Sequence, residues 1–121
     1  MSNYNVIPTE KFEEDVKYYI KKKKYLHIKD DIKIITDQLE KGNLIGDEIP
    51  NIQVSVDNHT YKVRTVNTDS NEGKSNGYRI IYYVIKDDLD IYLVTIYSKK
   101  DDKRIPTNSE IIKLIANYCI N

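Results

Sequence analysis

Two segments in the C-terminal half restrict the fold more than anything else in the chain. "YRIIYYVIK" (78–86) and "IYLVTIYS" (91–98) consist almost wholly of β-branched and aromatic residues. Such residues suit a pleated, packed surface, so both segments read as strands. Only "DDLD" separates them, which makes the pair an antiparallel hairpin. Period-two alternation continues upstream. Tyr61, Val63 and Thr65 alternate with Lys62, Arg64 and Val66, and Ile52, Val54 and Val56 alternate with polar residues. The sequence therefore predicts an antiparallel sheet of about four strands in this half.

Residues 9–41 carry a different period. Phe12, Val16, Tyr19 and Ile20 recur at helical spacing over 9–23, with Thr9 as a cap. Lys21 to Lys24 follow, and lysines at a helix C-terminus complement its dipole. Ile28, Ile32, Ile35 and Leu39 predict a second helix over about 29–41, with Asp30 and Asp31 in its first turn and Gly42 at its end. The short link between them makes a helical hairpin. "YNVIP" (4–8), stopped by Pro8, reads as an edge strand, and 42–51 as a loop. "PTNS" caps a short last helix bearing Ile111, Leu114, Ile115 and Tyr118. The expected fold class is α+β: one domain over 1–121, its sheet packed by an N-terminal helical hairpin, with a short C-terminal helix.

Composition excludes several classes. Nineteen basic and nineteen acidic residues cancel, so overall charge does not mark a nucleic-acid binder and any polyanion site must be local. Cys119 is the only cysteine, which rules out an internal disulfide and a multi-cysteine metal site. The N-terminus lacks signal-peptide character and no apolar run reaches the roughly 18 residues of a membrane span. A soluble, cytoplasmic protein is expected, with the sequon Asn58-His59-Thr60 idle.

"NEGKSNGYRIIYYV" (71–84) contains Gly-Lys-Ser, the end of a nucleotide-binding phosphate loop. That loop needs a glycine five residues before Gly73, where Thr68 stands. It also needs a helix after the lysine, to present backbone N–H groups to phosphate. Here the most strand-like segment follows. The stretch is instead a glycine-rich hairpin turn that leads Lys74 and Arg79 to the sheet. Alternation sends Arg79, Ile81 and Tyr83 one way, and puts Lys62 and Arg64 on a common face. If those faces coincide, three cations meet and an anion is their natural partner. The competing reading is a solvated outer face with interspersed carboxylates. "SKKDDKR" (98–104) is either a solvated loop or the rim of the same anion site.

From Tyr61 onward the chain resembles the RelE family of bacterial toxins, in its HigB-like branch. The resemblance rests on "YKVR" (61–64), "GKSNGYRIIYYV" (73–84), "IYSKKDDK" (96–103) and "SEIIKLIANY" (109–118). The upstream helical hairpin also fits. The resemblance implies the toxin of a type II toxin–antitoxin pair, with a cognate antitoxin as partner. It further implies a ribosome-dependent endoribonuclease that cleaves mRNA in the 30S decoding site, with no metal or cofactor. By position, Arg79 matches the phosphate-stabilising arginine, Lys62 and Arg64 the basic pair on the preceding strand, and Lys99 or Lys100 the basic position after the last strand. His59 is a candidate proton carrier or a turn histidine. Lys74, Lys100 and Lys103 are candidate RNA contacts. Tyr83 and Tyr97 either serve RNA, by stacking or assisting proton transfer, or pack the sheet. His27 reads as structural and Cys119 as a small core residue. Two alternatives remain: a ParE-like toxin that binds DNA gyrase through the same fold, and a non-catalytic toxin-fold binding protein.

Overall fold

A computed structural model describes residues 3–52 and 57–119. The elements run β1 (Asn5–Pro8), α1 (Glu10–Lys22), α2 (Ile28–Glu40), β2 (Asp47–Glu48), β3 (Asn58–Thr65), β4 (Tyr78–Ile85), β5 (Asp90–Ser98), a 3-10 turn (Asp102–Arg104) and α3 (Asn108–Tyr118). The architecture is α+β, and the helical hairpin, the β3–β4–β5 meander and the C-terminal helix lie where the periodicities put them. The sheet has five strands in the order β1-β5-β4-β3-β2.

Two features of the sheet differ from the expectation. The N-terminal edge strand runs parallel to β5, from Asn5 opposite Asp90 to Pro8 opposite Leu93, so the sheet is mixed. Pro8 has no N–H to give a further neighbour, which suits the end of an edge strand. The segment expected to be loop over 42–51 contributes β2, whose Asp47 and Glu48 pair antiparallel with Lys62 and Tyr61. The strand expected through Ile52, Val54 and Val56 falls largely on 53–56, outside the described residues. Ile52 itself is buried outside any strand.

Helix boundaries follow from local chemistry. The Thr9 hydroxyl accepts the Phe12 N–H at 3.2 Å and donates to the Leu93 carbonyl at 2.8 Å, so one side chain caps α1 and ties it to β5. Lys24 adopts a left-handed conformation (φ 60°) that turns the chain back into α2. Gly42, at φ 90°, closes α2 by donating to the Leu39 carbonyl. A full capping box opens α3: Thr107 Oγ1 accepts the Glu110 N–H, and the Glu110 carboxylate accepts the Thr107 N–H.

The helices cover both faces of the sheet. Phe12, Val16 and Tyr19 of α1, with Ile28, Ile32, Ile35 and Leu39 of α2, pack on Tyr78, Ile80, Tyr82 and Val84 of β4. The intervening β4 residues Ile81 and Tyr83 face the other way, against Ile111, Ile115 and Cys119 at the α3 end of the chain. Each fully buried aliphatic side chain contributes ~1.5–3 kcal/mol relative to exposure. With apolar residues required on both sides, β4 has the near-continuous apolar sequence that identified it.

Beyond Leu93, β5 keeps β4 on one side but has no strand on the β1 side, and α1 takes that role. Asp15 Oδ2 accepts the Ile96 N–H at 3.2 Å, and the Tyr19 hydroxyl oxygen accepts the Ser98 N–H at 2.8 Å. Helix side chains thus satisfy backbone donors that would otherwise form an open sheet edge. Asp31, buried on α2, does the same for the β3–β4 connection by accepting the Thr68 N–H at 2.9 Å.

Candidate functional site

The β3–β4–β5 ladder decides which of the basic residues meet. Arg64 lies directly opposite Arg79, Lys62 opposite Ile81, and Arg79 opposite Tyr97 on β5. Cross-strand partners share a face, so Lys62, Arg64, Arg79 and Tyr97 all lie on the α3 side of the sheet. The coincidence of faces left open by the sequence is therefore realised. Two like charges directly opposite in a ladder repel. Lys62, Arg64, Lys74, Arg79 and Lys99 have no carboxylate within ion-pair distance among the described residues. Asp47 is the Cα partner of Lys62, but their charges do not pair.

Arg79 is 6% exposed. Its two terminal nitrogens donate to the carbonyls of Lys74 (3.1 Å) and Ser75 (3.0 Å). Burial, and then the Arg64 charge, push its pKa down, while Tyr97 opposes the shift. A guanidinium nonetheless stays protonated in a protein. The result is a fixed cation, held by neutral carbonyls rather than by a carboxylate. Such a charge keeps its long-range attraction for an anion.

The turn that holds Arg79 depends on Gly77. A Cβ there would meet the Thr65 carbonyl oxygen at 2.2 Å, so no other residue fits between β3 and the turn. Gly73 has nothing within 4 Å of the same position. Of the two glycines in "GKSNG", the second is the one the geometry requires.

Other candidates fall into separate places. The Lys99 N–H donates to the Gly77 carbonyl, which extends the ladder one residue beyond Ser98 at the Arg79 end. Lys100 turns away into an ion pair with Glu72. Lys74 is exposed on the turn whose carbonyl anchors Arg79. Lys103 sits in the 3-10 turn and lines a different cavity, beside Arg104. His59 alternates onto the opposite face from Arg64 and Arg79, and its Nδ1 lies 2.6 Å from Glu48 Oε2. The structure does not bring it to the cationic face.

Tyr83 is 1% exposed, packed under α3 with its hydroxyl accepting from Asn58 Nδ2 at 3.0 Å. Its ring is closed to a base, in the sheet-packing role. Tyr97 is also buried, and burial raises its pKa while the Arg79 charge pulls the other way. A phenol in that state retains its proton at neutral pH. His27 bridges α2 to the β3–β4 connection through Asp69, 2.7 Å away. Cys119 packs in the α3 core cluster.

Sequence reasoning missed the cluster around Asp15, which is 1% exposed. It accepts from Lys11, from the Thr95 hydroxyl, and from an Arg104 terminal nitrogen at 2.8 Å. The signal was present. Asp15 follows Phe12 by three and precedes Tyr19 by four, so it lies within the apolar stripe of α1. Asp31 likewise sits between Ile28 and Ile35 on the buried face of α2.

These features define a small α+β domain that presents a cationic sheet face, with a buried arginine at its centre. No protein-family model matches the chain, and no curated protein matches it. Among the described residues no helix is long and apolar enough to cross a membrane.

Proposed function

We propose that the chain is a RelE-family toxin of the HigB-like branch, the toxin of a type II toxin–antitoxin pair, acting as a ribosome-dependent mRNA endoribonuclease. The observation that carries the reading is Arg79: a buried, carbonyl-tethered guanidinium with no carboxylate partner among the described residues, directly opposite Arg64 and Tyr97. The order of elements, with its helical hairpin, meander and terminal helix, supports it as well.

In this reaction the RNA 2′-oxygen bonds to the adjacent phosphorus and the P–O5′ bond breaks. The products are a 2′,3′-cyclic phosphate and a 5′-hydroxyl. The 2′-hydroxyl proton goes to a base, and the departing O5′ takes up a proton. The nucleophile belongs to the RNA, so no metal-activated water is needed. Negative charge grows on the non-bridging oxygens as phosphorus becomes five-coordinate. Arg79 meets that charge, with Arg64, Lys62 and Lys99 around it. A planar guanidinium can hold two such oxygens, and its tether removes the cost of reorganising it during the reaction. Tyr97, opposite Arg79 and holding its proton, is the candidate acid at O5′ in this reading. The antitoxin is then the protein partner, and mRNA on the 30S decoding site the substrate.

The test is cleavage-site mapping of an mRNA translated in vitro with purified protein. The wild type should produce discrete cuts that need ribosomes. Arg79→Ala should lose at least about 100-fold in rate, as removal of a preorganised transition-state donor does, with an unchanged far-ultraviolet circular dichroism spectrum. Undiminished cleavage by Arg79→Ala refutes the assignment. Gyrase inhibition without mRNA cleavage would replace it with a ParE-like activity.

A further inference from the structure

On the open side of β5, a cavity of about 360 Å³ lies between α1, the 3-10 turn and the start of α3. It shares no lining residue with the Arg64–Arg79–Tyr97 face. Its charged lining is Lys11, Lys103, Arg104 and Lys113 against Glu110. Counting Asp15 behind Arg104, four cations face two carboxylates. The Glu110 carboxylate is already engaged at the Thr107 N–H, 3.0 Å away, as part of the helix cap.

Arg104 is the built part of this site. One face of its guanidinium stacks on the Tyr18 ring, 3.9 Å from the ring centroid. One terminal nitrogen is fixed on Asp15 at 2.8 Å. Its Nε is enclosed and has no hydrogen-bond partner among the described residues. The second terminal nitrogen, Nη1, makes no hydrogen bond among the described residues, and the Arg104 side chain is 27% exposed. That nitrogen is the donor left for an anion in the cavity. Lys103 and Lys113 are exposed at the cavity, with no carboxylate partner among the described residues, and supply mobile charge to close on a ligand. The volume is at the lower end of the range for small-molecule sites, enough for a phosphate bearing a sugar.

We propose that this cavity is a phosphate-binding site, with Arg104 as its fixed donor and Lys103 and Lys113 as its flexible clamps. The phosphate can come from a small phosphomonoester or from an RNA backbone, because both present anionic non-bridging oxygens to these cations. The assignment stands independently of the nuclease reading.

The probe is inorganic phosphate, titrated into the full-length protein and followed by amide NMR at constant ionic strength. Saturable shifts at Thr95, Arg104 and Leu114 are expected, and the Lys103→Glu/Lys113→Glu variant should bind at least tenfold more weakly. Both lysines are exposed, so this variant keeps its fold, and an unchanged amide spectrum elsewhere verifies that. Competition then separates the sources. Displacement by ribose 5-phosphate alone identifies a small phosphomonoester, and displacement by an oligoribonucleotide without terminal phosphates identifies RNA. Shifts confined to Arg64 and Arg79, shifts that never saturate, or unchanged affinity in the double variant would overturn the proposal.

Discussion

Asp15→Ala tests whether α1 truly serves as the missing neighbour of β5. The carboxylate is 1% exposed and serves the Ile96 N–H, the Thr95 hydroxyl, Lys11 and Arg104. Truncation leaves a backbone donor and a hydroxyl without that acceptor, each a loss of ~1–3 kcal/mol when buried. It also leaves Arg104 unpaired, and breaking a buried ion pair from one side costs ~3–5 kcal/mol. These terms overlap and do not simply add. The Arg104 and Lys11 side chains are 27% and 33% exposed, so water recovers part of the electrostatic loss. The net expectation is ~3 kcal/mol. For a chain of this length that corresponds to a fall in Tm of about 10–15 °C. Urea unfolding followed by circular dichroism should show a lower midpoint at unchanged slope, as for a loss of stability without a change in exposed surface. Asp15→Asn keeps the shape and one acceptor for Ile96 and should fall between Ala and wild type. A loss below ~1 kcal/mol for Asp15→Ala would refute the edge-sealing argument.

Three further outcomes follow from the same geometry. Gly77→Ala should lose ~2 kcal/mol or more, because its Cβ cannot pass the Thr65 carbonyl oxygen at 2.2 Å, whereas Gly73→Ala, in open space, should be near neutral; equal effects in thermal melts would contradict this. The hydrogen bond to Asp69, and then its charge, raise the His27 pKa. A raised folded-state pKa means that the protonated pair stabilises fully below the unfolded value of about 6.5, and that this is lost as pH rises through the folded value. The stability gap between wild type and His27→Gln should therefore shrink as pH rises from 5.5 to 8, and a gap that grows would reverse the sign. Burial pushes the Cys119 thiol up to about 12. It should resist thiol reagents in the native state and react once the protein is unfolded, and rapid native labelling would show the site to be open.

The elements were legible because their periods are clear: apolar residues at helical spacing in α1 and α2, strict alternation in β3, near-continuous apolar character in β4. The common face of Arg64 and Arg79 could be posed from alternation but not decided, since it depends on register. A slip of one residue between β3 and β4 would have sent the two arginines to opposite sides. Parallel pairing of β1 with β5 was not legible, because YNVIP carries no mark of its partner's direction. The short β2 was hidden in a segment rich in turn residues, where backbone pairing rather than side-chain pattern makes the strand. Asp15 and Asp31 were overlooked for another reason. A carboxylate inside an apolar stripe reads as noise in the periodicity, while its backbone partners lie far away in sequence. Such an interruption is itself information, because a buried carboxylate requires partners.

The duties of the acidic residues explain how a neutral chain carries a cationic face. Nineteen acids balance nineteen bases overall, but their duties differ. Asp15, Asp31 and Asp69 bind backbone N–H groups that tie helix to sheet or loop, and Asp37, Glu48 and Glu72 are occupied by Lys33, His59 and Lys100. Asp31 and Asp69 are engaged between α2 and the β3–β4 connection, and Asp15 at the open edge of β5, so whole-chain neutrality says little about the field on the α3 side around Arg79. On that side Lys62, Arg64, Arg79 and Lys99 remain without carboxylate partners among the described residues, and repulsion between Arg64 and Arg79 goes uncompensated by any ion pair. Arg79 is held within the fold by its two bonds to the Lys74 and Ser75 carbonyls, and those bonds offset part of the cost of burying it beside a second guanidinium.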